Sequence, residues 1–255
     1  MIRKITAIII VSALLIVAGC KQDKDNTKLS PYLYDYIPTD IGHSVTYDVD
    51  SISYSYDASA PGSQQVYDTV YYQLKEVLLD TLTPCQSGVT CYHMAEYKRY
   101  DTTQPFNTFA YQAWYFYVKA SVYVADQNDL PFEKFTFPPI QGSTWLGNSL
   151  LPANDTIMDT YQTYAQPYPW TYTFTSVNVP NAINGHFFDS TSVVTDINSQ
   201  NAINSTVAIE TYARHVGLIS KQWEVINKQD VTSNWTTPNQ ANGFRILMSY
   251  HSYTP

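Results

Sequence analysis

Beyond residue 30, the apolar residues of this chain recur at every second position, and no window of adequate length repeats every 3.6 residues. Val45, Tyr47 and Val49 alternate with Ser44, Thr46, Asp48 and Asp50. The alternation slips at Ser51 and resumes as Ile52, Tyr54 and Tyr56, which predicts one long strand with a bulge at the slip. Val66 to Leu79 follows after the turn-rich Ala58 to Ser63, with Val70, Tyr72, Leu74 and Glu76 on one parity. The two runs read as a hairpin.

The same period continues down the chain. Tyr92 to Tyr100, Phe109 to Val124, Phe132 to Phe137, Trp170 to Val179, Ser190 to Ile197, Val207 to Ala213, Lys221 to Ile226 and Phe244 to Tyr253 each read as one or two strands. Asn198 to Ser205 reads as a polar turn, and Asn227 to Asn242 as a polar loop around Trp235. Gly142 and Gly147 flank Trp145, which suggests backbone packed closely on its ring. The expected fold is all-β and mainly antiparallel. It is a single curved sheet, half-barrel or sandwich of about ten to twelve strands, with little helix.

Tyrosine fills many of these positions, with 23 Tyr against 10 Phe and 5 Trp. It suits half-buried strand positions because the ring covers apolar surface and the hydroxyl keeps a polar partner. Charged residues make up only 14% of the chain and the net charge is −8. An acidic chain with scattered lysines lacks the basic face that nucleic acid or anionic lipid requires, so neither is an expected partner.

The first thirty residues differ from the rest. Arg3 and Lys4 precede an apolar run from Ile5 to Val17, broken only by Thr6 and Ser12. That run is shorter than the roughly 20 residues a spanning helix needs, and has the length of a signal-peptide core. Lys21 to Lys28 is polar and charged, as in a flexible tether. The organisation expected is a signal segment over 1–19, a tether over 20–30 and one β domain over 31–255. Loss of Arg3 and Lys4 with the signal would move the charge of the remainder from −8 to near −10.

Val17-Ala18-Gly19-Cys20 resembles a bacterial lipobox. The resemblance implies cleavage before Cys20, a diacylglycerol on its thiol and acylation of the freed amino group. Two or more chains anchor stably, at about 0.8 kcal/mol per buried CH₂. The partner implied is a membrane, reached through lipid. Lysine at position 21 favours the outer membrane, and the charged run that follows is similar to the surface-export signal of Bacteroidota-type lipoproteins. Cell-surface display is therefore the expected location.

A second likeness rests on Tyr47-Asp48-Val49-Asp50-Ser51-Ile52, on Phe135-Thr136-Phe137-Pro138 with Gly142 and Trp145, and on Tyr212 to Ile219. Together these resemble uncharacterised Bacteroidota-type lipoproteins and, more loosely, the half-barrel lipoprotein carriers. The looser likeness concerns the fold and carries no function with it.

With Cys20 assigned to lipid, Cys85 and Cys91 remain, and in an exported chain they are expected to pair across the Ser87-Gly88 turn. Familiar chemistry is missing. There is no G-x-S-x-G, no HExxH, no P-loop and no GxGxxG among these residues. No cofactor or metal is expected; Asp126 to Asp129 lacks the spacing of a calcium loop. Asp48, Asp50, Glu76 and Glu96 are formally available as paired acids but read as solvent-facing strand positions, and His215 reads as structural.

The expected function is that of a binding or structural module, with glycan, peptide or another envelope protein as partner. Tyr161, Tyr164, Tyr168 and Trp170 form the candidate binding face, because prolines hold these rings apart within a polar stretch that reads as a loop or lid. The alternatives are a glycoside-acting enzyme with dispersed carboxylates and a half-barrel that carries an acyl chain. Among Asp-Ser/Thr tripeptides of the kind that carry O-glycans in Bacteroidota-type exported proteins, Asp155-Thr156-Ile157 is the best placed, with Thr156 as acceptor.

Overall fold

A computed structural model describes residues 33–255 except 60–63, 84, 86–87, 128, 152–155, 160–161 and 166–169. The lipobox cysteine, Cys20, lies outside the described residues. The strands within 152–169 are described by their backbone alone.

Period-2 patterning becomes strand throughout. The strands are β1 (Ser44–Tyr56), β2 (Gln65–Leu82), β3 (Cys91–Arg99), β4 (Gln112–Lys119), β5 (Val122–Gln127), β6 (Leu130–Thr136) and β7 (Thr144–Leu146). They continue as β8 (Thr156–Asp159), β9 (Gln162–Ala165), β10 (Thr171–Ile183), β11 (His186–Gln200), β12 (Asn204–Ala213), β13 (Gly217–Lys228) and β14 (Ala241–Thr254). Twelve of them form one antiparallel sheet in the order β6-β5-β4-β3-β2-β1-β14-β13-β12-β11-β10-β7. The sheet curls until it nearly closes into a barrel. β8 and β9 make a separate hairpin inside the stretch expected as a loop or lid.

The two end strands of the sheet meet. The Glu133 N–H of β6 donates to the Gly147 carbonyl just past β7 at 2.8 Å, and the Trp145 indole N–H donates to the Glu133 carbonyl at 2.6 Å. Gly147 is glycine for a packing reason: a Cβ there would lie 2.3 Å from the Tyr172 ring. The close backbone approach expected at Trp145 is therefore made to Tyr172. The bulge also falls elsewhere than expected. β1 pairs with β2 without interruption through Ser51, and slips only against β14, between Thr46 and Tyr47.

One end of the barrel is plugged. The proline-bounded lead-in forms a short 3-10 turn, Tyr34–Tyr36, and drops the fully buried Tyr36 against Phe135 at 5.4 Å. The Tyr36 hydroxyl donates to the Asn178 side chain at 2.9 Å. Asp35 receives Arg214 at 2.5 Å, and its carbonyl accepts the His215 N–H at 2.6 Å. His215 turns β12 into β13 with φ 65°. Beneath the plug, Trp114, Phe116, Tyr123, Phe135, Phe174 and Val194 form the main core.

Cys85 and Cys91 are bonded, with Cα atoms 5.7 Å apart, at the turn between β2 and β3. Trp235 sits in a loop of residues 229–240 that lies over the outer face of the sheet. It packs on Tyr54, Ile226 and Ala241. Beneath it, Arg245 binds Glu224 at 2.6 Å and donates to the carbonyls of Trp235 and Thr236. That tryptophan is pinned, and its loop is ordered by the charge pair under it.

Candidate functional site

Cross-strand partners in an antiparallel sheet share a face. Val45, Tyr47 and Val49 point into the barrel, so their partners Glu76, Leu74 and Tyr72 do too. The ladder carries Glu96 and Lys98 inward on β3, opposite Glu76 and Leu74. On the other side it carries Met248, Lys221 and Glu210 inward on β14, β13 and β12. Glu76 and Glu96 are therefore interior groups, contrary to their reading as solvent-facing positions. Asp48 does face outward, accepting from Gln73 at 2.7 Å and contacting His251 at 3.0 Å.

The middle of the barrel is a polar layer. Lys134 on β6 contacts Asp196 of β11 at 2.5 Å and Glu210 of β12 at 2.9 Å, and so ties the first strand of the sheet to the far side. Lys221 approaches Glu210 at 3.5 Å, and the Tyr212 hydroxyl donates to Glu210 at 2.7 Å. Across the lumen the Tyr47 hydroxyl donates to Glu76 at 3.0 Å and the Trp114 indole to Glu96 at 3.0 Å.

These carboxyls ionise differently. Burial pushes Glu76 up to about 8, and the neighbouring Glu96 adds to the rise. Burial also raises Glu96, against the Trp114 hydrogen bond and the charge of Lys221. Glu210 is more fully buried, but Lys134 and Lys221 outweigh its burial and hold it down to about 2. Burial carries Asp196 up to about 7 even beside Lys134. Lys134 stays charged, because the two carboxylates more than offset its own burial.

Side chains of this layer towards the end opposite the plug are not fully covered. Tyr72, Glu76, Lys98, Lys221, Trp223 and Ile246 all point inward yet remain half-buried. At the mouth, Lys98 lies 3.3 Å from the centre of the Tyr111 ring and 4.7 Å from that of Tyr72, and Tyr100 touches Tyr72 at 5.8 Å. Burial pushes the Tyr72 hydroxyl up to about 12, and the nearby Tyr111 contributes. Trp223 faces Phe244 edge-on at 5.0 Å. The arrangement sets aromatic rings at this end of the lumen above a layer of carboxyls and ammonium groups. Such a set stacks on and hydrogen-bonds a polar ligand.

Two grooves, of about 440 Å³ and 600 Å³, lie outside the plug at the closed end and share His215 and Tyr253. Neither reaches the polar layer. No group of three or more His, Cys, Asp or Glu among the described residues could hold a metal ion.

Of the candidate face, Tyr161 and Tyr168 lie outside the described residues. Tyr164 lies on β9 opposite Ile157. The Trp170 ring stacks on Phe132 at 5.6 Å and 12°, beside the mouth of the barrel. Thr156, the candidate glycan acceptor, opens β8 opposite Ala165, and so belongs to a hairpin. The mouth residues Tyr72, Lys98, Tyr111 and Trp223 were not among the sequence candidates. Their signal was the presence of Glu76 on the same parity as Val70, Tyr72 and Leu74, a charged group on an apolar face.

No protein-family model matches this chain, and no curated protein matches it.

Proposed function

We propose that this chain is a lipid-anchored module of a bacterial outer envelope, displayed at the cell surface, that binds a neutral, hydroxyl-rich ligand such as a glycan in its lumen. The observation that carries the reading is the set of inward yet half-buried side chains, Tyr72, Lys98 and Trp223 above Glu76 and Glu96. Aromatic faces cover the apolar flanks of a sugar ring, while the layer below satisfies its hydroxyls. Glu76 keeps its proton near neutrality, so it can donate as well as accept. The lipobox at Val17 to Cys20 supports the anchor. An acyl chain has less support as cargo, since Glu76, Glu96 and Lys221 cross the middle of the lumen.

Calorimetric titration with envelope polysaccharide fragments tests the binding reading. Trp223→Ala is expected to weaken binding about tenfold, or 1.4 kcal/mol, with the fold intact. Wild-type protein that takes up no glycan, or Trp223→Ala that binds equally well, would sink it. Intact-mass analysis of membrane-extracted protein tests the anchor. The expected species begins at an acylated Cys20, and a retained Met1 removes the anchor from the proposal.

A second reading has one observation behind it. Glu76 and Glu96 are cross-strand neighbours, one of them protonated near neutrality, as a glycoside-cleaving pair requires. Sugar release that disappears in Glu96→Gln while binding persists would favour the enzyme.

A further inference from the structure

β2 is longer than the neighbour on one of its sides. β1 pairs with it from Gln65 to Val77, but β3 begins its pairing only at Gln73. Eight residues, Gln65 to Tyr72, therefore have a strand on one side and none on the other. Among the described residues, no backbone–backbone hydrogen bond outside the sheet ladders reaches this segment; side chains reach two of its carbonyls, Gln65 Nε2 donating to Val66 at 3.2 Å and Ser53 Oγ to Asp68 at 3.5 Å. Both faces of it are well exposed, with Val66, Tyr67, Val70 and Tyr71 at 51%, 50%, 39% and 66%; on the outer face the Tyr67 hydroxyl also donates to the Pro238 carbonyl at 2.7 Å.

A bare edge of this length is a template for another strand. The usual protections are missing. The segment has no proline, no lysine and no bulge against β1, and its single charge is Asp68. A segment rich in tyrosine and valine, both strong strand formers, is left unpaired.

We infer that this edge pairs antiparallel with the same edge of a second copy, across a two-fold axis at Thr69. The register argues for that occupant. Partners in an antiparallel sheet share a face, so a symmetric pairing must centre on a residue. The open segment runs from 65 to 72, so the longest ladders centre on Asp68 or on Thr69; any other centre drives one overhang towards β3 or shortens the ladder. Centring on Thr69 sets Tyr67 opposite Tyr71, Val66 opposite Tyr72, and Thr69 opposite itself. Those are aromatic–aromatic, aromatic–β-branched and Thr–Thr pairs, the kinds that stabilise cross-strand contacts. It sets Asp68 opposite Val70 and keeps the two aspartates apart. Centring on Asp68 would place them face to face. An isologous contact of this kind closes at two copies and exposes no further edge. One seven-residue seam is small beside standard interfaces, so the dimer is reversible with concentration.

Sedimentation velocity on the full chain in density-matched detergent, over a concentration series, tests the inference. Wild-type protein is expected to pass from monomer to dimer. Thr69→Lys and Thr69→Glu each place like charges on the axis, and each is expected to weaken the dimer about tenfold. An equimolar mixture of the two is expected to restore it, because Lys then faces Glu. A wild type that stays monomeric throughout, single variants that dimerise normally, or a mixture that stays monomeric overturns the inference. So does a monomer that retains an added strand-forming peptide on this edge in place of its own copy. Should either variant lose its β-sheet circular dichroism, Thr69→Cys decides instead. A disulfide-linked dimer under mild oxidation supports the inference, and its absence overturns it.

Discussion

The polar layer inside the barrel has two sides, each built on a pair of inward carboxyls, and they carry charge differently. On the β6, β11 and β12 side, Asp196 and Glu210 share Lys134, and Glu210 has Lys221 as well. Glu210 is held ionised near about 2. On the β2 and β3 side, Glu76 and Glu96 receive one neutral donor each, from Tyr47 and Trp114. Glu76 is driven up to about 8. Burial raises both groups; the distance to a lysine decides which of them keeps its charge. The charged side is also where the sheet closes, since Lys134 reaches from β6 across to β11 and β12. The neutral side faces the open mouth. Charge is spent on closure, while burial raises the two carboxyls of the other side.

The largest expected effect breaks the charged side. Lys134→Met removes the lysine in contact with Asp196 and leaves two deeply buried carboxylates to the more distant Lys221. Breaking a buried pair from one partner typically costs about 3–5 kcal/mol, because the remaining charge is uncompensated. Urea denaturation at neutral pH should show a loss of that size. A loss below about 1 kcal/mol, the range of exposed pairs, would mean that the layer is well hydrated and that the two sides do not differ as described.

Much of this architecture was legible in the residues. Alternation at Val45, Tyr47 and Val49, the Pro-Gly loop before β2, and the Cys85–Cys91 spacing gave strands, a hairpin and a disulfide that the structure contains. The enclosure was not legible. Period two shows which residues share a face, but not whether that face is solvated or wrapped inside a closed sheet. Glu76 carried the clue, sharing parity with Tyr72 and Leu74, yet a lone strand with one acid reads equally well as a surface strand. Lys134 was hidden for a second reason. The register of β5 against β6 shifts between Tyr123 and Val124, so Lys134 and Phe135 both turn inward although they are adjacent in sequence. The Trp235 loop was unreadable because its support, Glu224 with Arg245, comes from two other strands.

A smaller effect is expected from Lys221→Met. Lys221 is partly exposed and lies 3.5 Å from Glu210, so its direct contribution should be about 1 kcal/mol. Its value is diagnostic. Lys221 also lowers Glu76 and Glu96 from across the lumen. Its loss should therefore raise the titration midpoint of Glu76, read from the side-chain carboxyl signal by NMR. An unmoved Glu76 would show that the two sides are electrically separate.

The smallest effect at mildly acidic pH, and the sharpest comparison, comes from Glu76→Gln. The folded protein holds this proton up to about 8, while the unfolded chain releases it near the ordinary glutamate value. The folded state thus binds more protons between those two limits, and its stability falls as pH rises through that window. Glu210 has the opposite sign. Its folded value lies near about 2, so its contribution is present above the ordinary glutamate value and is lost as pH falls towards 2. Wild-type stability should then decline on both flanks, with the alkaline slope no steeper than about 1.4 kcal/mol per pH unit from Glu76, and less where water screens it. Glutamine mimics the protonated acid. At pH 5 Glu76→Gln should match wild type closely, and between pH 5 and 8 its stability curve should be flatter, with the acid flank untouched. A variant that keeps the full alkaline slope would place that proton elsewhere in the layer, with Asp196, raised to about 7, as the group to test next.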